Sequence, residues 1–485
     1  MPESSEFDLV IVGGGPAGYV GAIRAAQLGM RVACVERDKL GGVCLNWGCI
    51  PTKSLLAGAE FYQKLKHEAD AWGIEADNVR HDWKKVIGRS RQVTGTLNQG
   101  IHGLFRKNKI EHIAGSAKIM RGGPACQVDV SNLDDSVTHR LTSRHLLICT
   151  GASPRGLPGV AGLREVEFDG QRIISSKEAM TLSEQPEKLL IIGAGAIGME
   201  FAYFYNAFDT QVTVIEMLDH VLPNEDVDVS RAVAHSFKKQ GITCLTGAKT
   251  TSVTPLDGGV QVRVAPVGNL DDVQVHHADR VLIAVGVKGN HESLFDPSLP
   301  IQIEHDHIKV DRNSYQTSVT DIYAAGDVIG PPWLAHVASE EAITCIERLA
   351  GHEPIPIDYD SIPGCTYCLP QVASLGKTEQ SLKKQGLQPG TDYRVGKFPF
   401  QASGKAQALG STEGFIKILT DSKHGEILGV HMVGESVTEL LAEMGLARRL
   451  EATTDELIAT MHAHPTLSEA VHEAALGAAG RMMHF

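Results

Sequence analysis

The chain has 485 residues, 42% of them hydrophobic and 21% charged, with 50 glycines. That length supports about three domains with sizeable cores, and it excludes a peptide, a small disulfide knot and a disordered tail. With 45 Lys and Arg against 58 Asp and Glu, the net charge is -13, so the chain as a whole lacks the basic footprint of a nucleic-acid or anionic-membrane binder.

The opening residues, MPESSEFDLV, carry neither a basic leader nor a long apolar run, so the cytoplasm is the expected location. Residues 7–12 (FDLVIV) read as a strand, glycines 13, 15 and 18 follow, and an Ala-rich helical pattern runs to about Gly29. A second strand, RVACVE, then ends in Glu36. The design returns at 188–192 (KLLII), with glycines 193, 195 and 198, a helical pattern, and the strand QVTVIE ending in Glu216. The apolar stretch from Leu189 to Phe208 approaches membrane length, but its glycines and Glu200 make it a strand, a turn and a helix instead. In both copies the Glu lies 23 residues after the first Gly.

Such glycines permit the tight turn and let backbone N–H groups approach a pyrophosphate at the helix N-terminus, while the acidic residue accepts hydrogen bonds from ribose hydroxyls. Two copies imply two adenine dinucleotides, commonly one flavin and one nicotinamide. Three further strands end in glycine punctuation: 145–154 (HLLICTGASP) with Thr150-Gly151, 279–287 (DRVLIAVGV) with Gly286, and 321–328 (DIYAAGDV) with Asp327 at a carboxyl edge facing a ligand. A proline-rich linker follows His352. Beyond it, strands near 371–376, 393–398, 414–419 and 426–433 and helices from Val437 onward predict an α+β domain.

Nine cysteines scattered over such a chain are not a secreted disulfide framework, and most read as small buried residues. Cys44 and Cys49 differ, lying in GGVCLNWGCIPTK at 41–53. Pro51 suits a first helical turn, and Cys49 and Lys53 then share one helical face. A helix N-terminus and a nearby cation both favour thiolate, so the place suits reactive sulfur. The alternatives are two packed cysteines or half of a metal site. Cys365 and Cys368 have CxxC spacing but no paired His motif, so no metal is expected.

The tandem glycine units, the CLNWGC pair, the AGD element and the late HAHPTLSE resemble the class I flavoprotein disulfide reductases over essentially the whole chain. Within that family the most similar branch oxidises protein-bound dihydrolipoamide with NAD. The resemblance implies an α/β fold with two Rossmann-like dinucleotide-binding domains plus a C-terminal α+β dimerisation domain. Its segments would be an FAD domain at 1–155 and 286–354, an NAD domain at 156–285, and an interface domain at 355–485. It implies FAD and NAD as cofactors, a homodimer, and the lipoyl-bearing acyltransferase (E2) of 2-oxo-acid dehydrogenase complexes as partner.

Carried over by position, Cys44 and Cys49 form the redox disulfide, with Cys49 against the flavin and Cys44 exchanging with the dithiol. Lys53 and Glu200 form an ion pair beside the flavin. Gly13, Gly15, Gly18, Glu36, Gly151 and Asp327 serve FAD, whereas Gly193, Gly195, Gly198, Glu216 and Gly286 serve NAD. His464, from the partner subunit, handles the dithiol proton and is oriented by Glu469. Thr466 to Glu469 also reads as a capping box, and His462 shows that histidine alone is not diagnostic.

Residues 217–224 offer no Arg or Lys for a 2'-phosphate beside Glu216. A like-charge contact near 4 Å costs on the order of 4 kcal/mol at an effective dielectric of 20, so NAD is expected over NADP. Two positions depart from the family pattern: Gly289 where proline is common, and Trp47 where valine is common. Other readings are a related NAD(P)H-dependent disulfide or mercuric reductase, and a flavoprotein that serves mainly as a docking subunit.

Overall fold

The computed structural model describes residues 3–123, 125–132, 134, 136–157 and 166–485. Residues 158–165, inside the expected 156–285 segment, lie outside the described residues. The chain divides into two compact units, one of Met1–Leu55, Lys84–Arg155 and Gly286–Ile357, the other of Leu56–Trp83, Gly156–Val285 and Asp358–Phe485.

In the first unit a sheet runs Glu111–Ala114, Val32–Glu36, Glu3–Val12, Val137–Ile148, Cys126–Ser131, Ser116–Arg121, and Ile322–Ala324 also pairs with Val137–Ile148. The pairs around Glu3–Val12 are parallel, and the last two connections are antiparallel. Leu9, Val10 and Ile11 are wholly buried, as befits a parallel strand covered on both faces. The helices Pro16–Gln27 and Ala335–Leu349 contribute Ala22, Ala25 and Ala342 to the same core.

The second unit holds a fully parallel sheet ordered Thr243–Leu245, Gln211–Ile215, Lys188–Ile192, Arg280–Ile283, Ile173–Ile174. It also holds a five-stranded antiparallel sheet of Gly364–Thr366, Gln371–Gly376, Ile427–Gly434, Phe415–Asp421 and Tyr393–Pro399. Helices Val437–Arg449, Thr454–Ala459 and Glu469–Ala478 supply Leu441, Leu457 and Val471 to that sheet's core.

The strand expected to end in Thr150-Gly151 ends two residues before it. Val137–Ile148 stops, Gly151 turns the chain with φ +68°, and Ala152–Pro154 pairs instead with Val287–Gly289. The strand expected to close on its terminal Gly286 stops at Ile283, and Gly286, φ +114°, turns the chain into Val287–Gly289. In both places a left-handed glycine ends the ladder and swings the chain away from the sheet edge.

Candidate active site

Two glycine turns have matching geometry. Gly13 and Gly193 adopt φ +102° and +103°, and a Cβ would lie 2.2 Å from the Cys149 carbonyl oxygen and 2.4 Å from that of Ala284. Gly18 and Gly198 have ordinary φ, but a Cβ would meet the carbonyl oxygens of Gly13 and Gly193 at 1.8 and 2.0 Å. The helices Pro16–Gln27 and Ala196–Ala207 begin at Gly15 and Gly195, extended residues with no side-chain cap. Before each lies open space: the nearest atom to a Cβ at Gly15 is 3.8 Å away, and at Gly195 nothing lies within 4 Å. Uncapped first-turn N–H groups facing such a gap suit a pyrophosphate.

The two glutamates are equivalent down to their hydrogen bonds. Glu36 accepts Gly14 N–H at 2.7 Å and Asp38 N–H at 2.8 Å, and Glu216 accepts Ala194 N–H at 2.7 Å and Leu218 N–H at 2.9 Å. Each carboxylate is thereby aimed while lone pairs remain for ribose hydroxyls. Gly151 and Gly286, both left-handed, also border open space, since a Cβ at either would meet nothing within 4 Å.

Cys44 lies in the short helix Gly42–Asn46, and Cys49 opens the helix Cys49–Gln63. Both are thiols rather than a disulfide. A hydrogen bond to Cys49 and burial hold the Cys44 thiol far above its ordinary range, and Lys53 pulls it down without prevailing. Asp327 also lies within electrostatic reach of Cys44. Burial and the neighbouring Glu341 push the Asp327 carboxyl up to about 6.

In the second unit, His464 Nδ1 lies 2.9 Å from Glu469 Oε1. Burial raises the Glu469 carboxyl, but the Thr466 N–H and His464 outweigh it and bring it below its usual range. An ionised carboxylate only accepts, so His464 donates Nδ1–H and leaves Nε2 as the basic atom. The His464 side chain is 79% exposed, whereas His462, bonded to Glu443 at 2.7 Å, is 7% exposed. Glu200 is buried, and its Oε1 accepts the Tyr367 N–H at 2.9 Å. Lys53 belongs to the first unit and Glu200 to the second.

The pyridine nucleotide-disulphide oxidoreductase model matches residues 7–342, and that family's dimerisation domain matches 362–475. The chain belongs to this family. A dihydrolipoyl dehydrogenase of Zymomonas mobilis is 43% identical over 99% of this chain and 100% of its own length. One of Rhizobium etli is 42% identical over 100% of both chains. The crystal structure of LpdA from Mycobacterium tuberculosis superposes with a TM-score of 0.87 at 27% identity, covering 97% of this chain and 99% of that one.

Several residues of this pyridine nucleotide-disulphide oxidoreductase carried no sequence signal. Asn290 donates to the Thr150 carbonyl at 2.9 Å and accepts from the Ser153 hydroxyl at 2.7 Å, bracing the Gly151 turn. Arg312 donates to Glu341 at 2.9 Å, and Glu341 accepts the Gly326 N–H at 2.8 Å, next to Asp327. None of these pairs has a periodic spacing. The two departures have physical reasons: a Cβ at Gly289 would lie 2.8 Å from the Asp306 carbonyl oxygen, and Trp47 donates to Asp38 at 3.2 Å between the cations of Lys39 and Arg91.

Proposed function

We propose that this chain oxidises protein-bound dihydrolipoamide to lipoamide and reduces NAD to NADH, the activity for which its relatives are named. The observation that carries the reading is the hydrogen-bonded Cys44 and Cys49 pair, in the unit that bears the Gly13 turn and within the field of Lys53 and Asp327. FAD, when bound, accepts two electrons from the sulfur pair and gives hydride to NAD.

The chain's own groups do the rest. In the oxidised pair, a substrate thiolate forms a bond to the Cys44 sulfur, the Cys44–Cys49 bond breaks, and Cys49 leaves as thiolate. The second substrate thiol attacks the mixed disulfide and releases lipoamide and Cys44. His464 Nε2 takes the substrate proton, and Glu469 holds the ring and stabilises its charge. Glu36 and the Gly15 turn hold FAD, and Glu216 and the Gly195 turn hold NAD. Asp327 faces the FAD chain, and Glu200 keeps the flavin-side role that the family pattern gives it.

Two copies pair through the segment matching the dimerisation domain, with His464 of the partner subunit serving each redox pair. A lipoyl-bearing acyltransferase as partner and a cytoplasmic setting complete the proposal. No helix among the described residues is long and apolar enough to cross a membrane. The test compares NADH formation from dihydrolipoamide with that from reduced glutathione, using NAD and NADP in turn. Turnover with dihydrolipoamide and NAD alone is expected; glutathione turnover favours the other disulfide reductases, and no turnover favours a docking subunit.

A further inference from the structure

We propose that His307 and Trp333 are positioning residues that hold the Asp327 segment for the flavin cofactor, an inference that rests on the FAD assignment of Asp327. The Asp327–Ile329 turn lies between two left-handed glycines, Gly326 at φ +79° and Gly330 at φ +96°. Such a segment is permissive on both sides and needs anchoring from outside. At its start, Gly326 N–H is held by Glu341. Along its exit, Arg312 donates to the Ile329 carbonyl at 3.0 Å and to the Pro331 carbonyl at 3.3 Å.

The last anchor is an aromatic one. The His307 ring is buried and stacks on the Trp333 indole, with centroids 5.7 Å apart and planes 29° apart. Trp333 Nε1–H donates to His307 Nε2 at 3.3 Å, and His307 Nδ1 faces the His305 carbonyl at 2.6 Å. A donor at one ring nitrogen and a carbonyl at the other require the neutral Nδ1–H tautomer. The ring has little freedom, because Gly289 and Gly330 lie against it: a Cβ at either would come within 3.4 and 3.6 Å of ring carbons. Trp333, 41% exposed, is therefore fixed by its stack and one hydrogen bond rather than by core packing. The reach of this pair to the cofactor runs through the backbone of 327–333.

The experiment measures FAD affinity, by recovery of flavin fluorescence on dilution, and the midpoint potential of the bound flavin. The proteins are wild type, His307→Phe, His307→Gln, Trp333→Phe and Asp327→Asn. His307→Phe keeps the stack and removes the acceptor, whereas His307→Gln keeps an acceptor. Losing the anchor is expected to weaken FAD binding by about tenfold in His307→Phe and Trp333→Phe, the scale of one hydrogen bond. His307→Gln is expected to recover most of the loss, with a shifted flavin potential in Phe and not in Gln. NAD affinity, read by NADH fluorescence, is expected to stay unchanged, which separates positioning from general loss of fold. Wild-type FAD affinity and potential in both His307→Phe and Trp333→Phe, with Asp327→Asn impaired, would overturn the positioning role alone. An unimpaired Asp327→Asn would overturn both it and the FAD assignment beneath it.

Discussion

Glu469 uses its two carboxylate oxygens for two tasks: Oε1 holds His464 Nδ1 at 2.9 Å, and Oε2 accepts the Thr466 N–H at 2.8 Å. The turn thus makes half of the expected capping box, and the other oxygen orients His464. The Thr466 hydroxyl does not complete the box, since it donates to the Ala463 carbonyl. His464→Gln is expected to lower dithiol oxidation by about 10²- to 10⁴-fold, the usual range for a general base. Reduction of the bound flavin by NADH should persist, and stopped-flow measurement of both half-reactions checks the split. Glu469→Gln should fall between that variant and wild type.

The Cys44 and Cys49 pair divides the labour of one disulfide. Cys49→Ser is expected to abolish dithiol oxidation while FAD stays bound, because the remaining Cys44 has no partner with which to form the disulfide or pass electrons onward. Turnover at the wild-type rate by this variant would sink the assignment. Cys44→Ser removes the exchange sulfur and should equally abolish turnover, and thiol titration with an alkylating reagent should then reach Cys49 directly.

Asp327 gives a pH signature. Its folded-state pKa of about 6 lies above the ordinary aspartate value. The folded protein therefore binds the proton more tightly, so the associated stability is present at acid pH and is lost as pH rises through about 6. Asp327→Asn should stabilise the cofactor-free protein at pH 7 to 8, by at most about 3 kcal/mol for a two-unit shift, and by nothing below pH 4. Thermal melts across that range measure it.

Lys417 offers a test remote from the chemistry. Its ammonium, 1% exposed, contacts Asp226 at 2.9 Å, Asp228 at 3.1 Å and Glu379 at 2.6 Å. Burial alone would raise these three carboxyls, but hydrogen bonds and the Lys417 charge leave all three below their usual range. Their contribution is present above about pH 4 and is lost as pH falls through the depressed values. Lys417→Met strands the buried Asp226, while the partly exposed Asp228 and Glu379 keep Lys397 and Lys383, and it is expected to destabilise by about 3–5 kcal/mol. Denaturant unfolding checks the size, and restored stability at acid pH checks the sign.

The nucleotide turns were legible in the sequence because the constraint is local: Gly13 and Gly18 meet backbone carbonyls that any Cβ would strike. The strands at 188–192 and 371–376 fall where their apolar runs predict. What was not legible is tertiary. Asn290, Arg312 and Glu341 act on residues far along the chain, and the Lys417 cluster joins residues separated by up to 191 positions. No spacing within one element announces such partners. The edge strands Glu111–Ala114 and Ser116–Arg121 carry little pattern either, being short and largely exposed.

The central claim is that Cys44, Cys49 and a bound flavin form one electron path from dithiol to NAD. The most direct test is an anaerobic titration of the FAD-loaded protein with dihydrolipoamide, followed by NAD, watched by flavin absorbance. The account predicts loss of the oxidised flavin band on adding the dithiol and its return, with NADH formed, on adding NAD, with neither change in Cys49→Ser. A flavin spectrum that dihydrolipoamide leaves unchanged in the wild-type protein would contradict it.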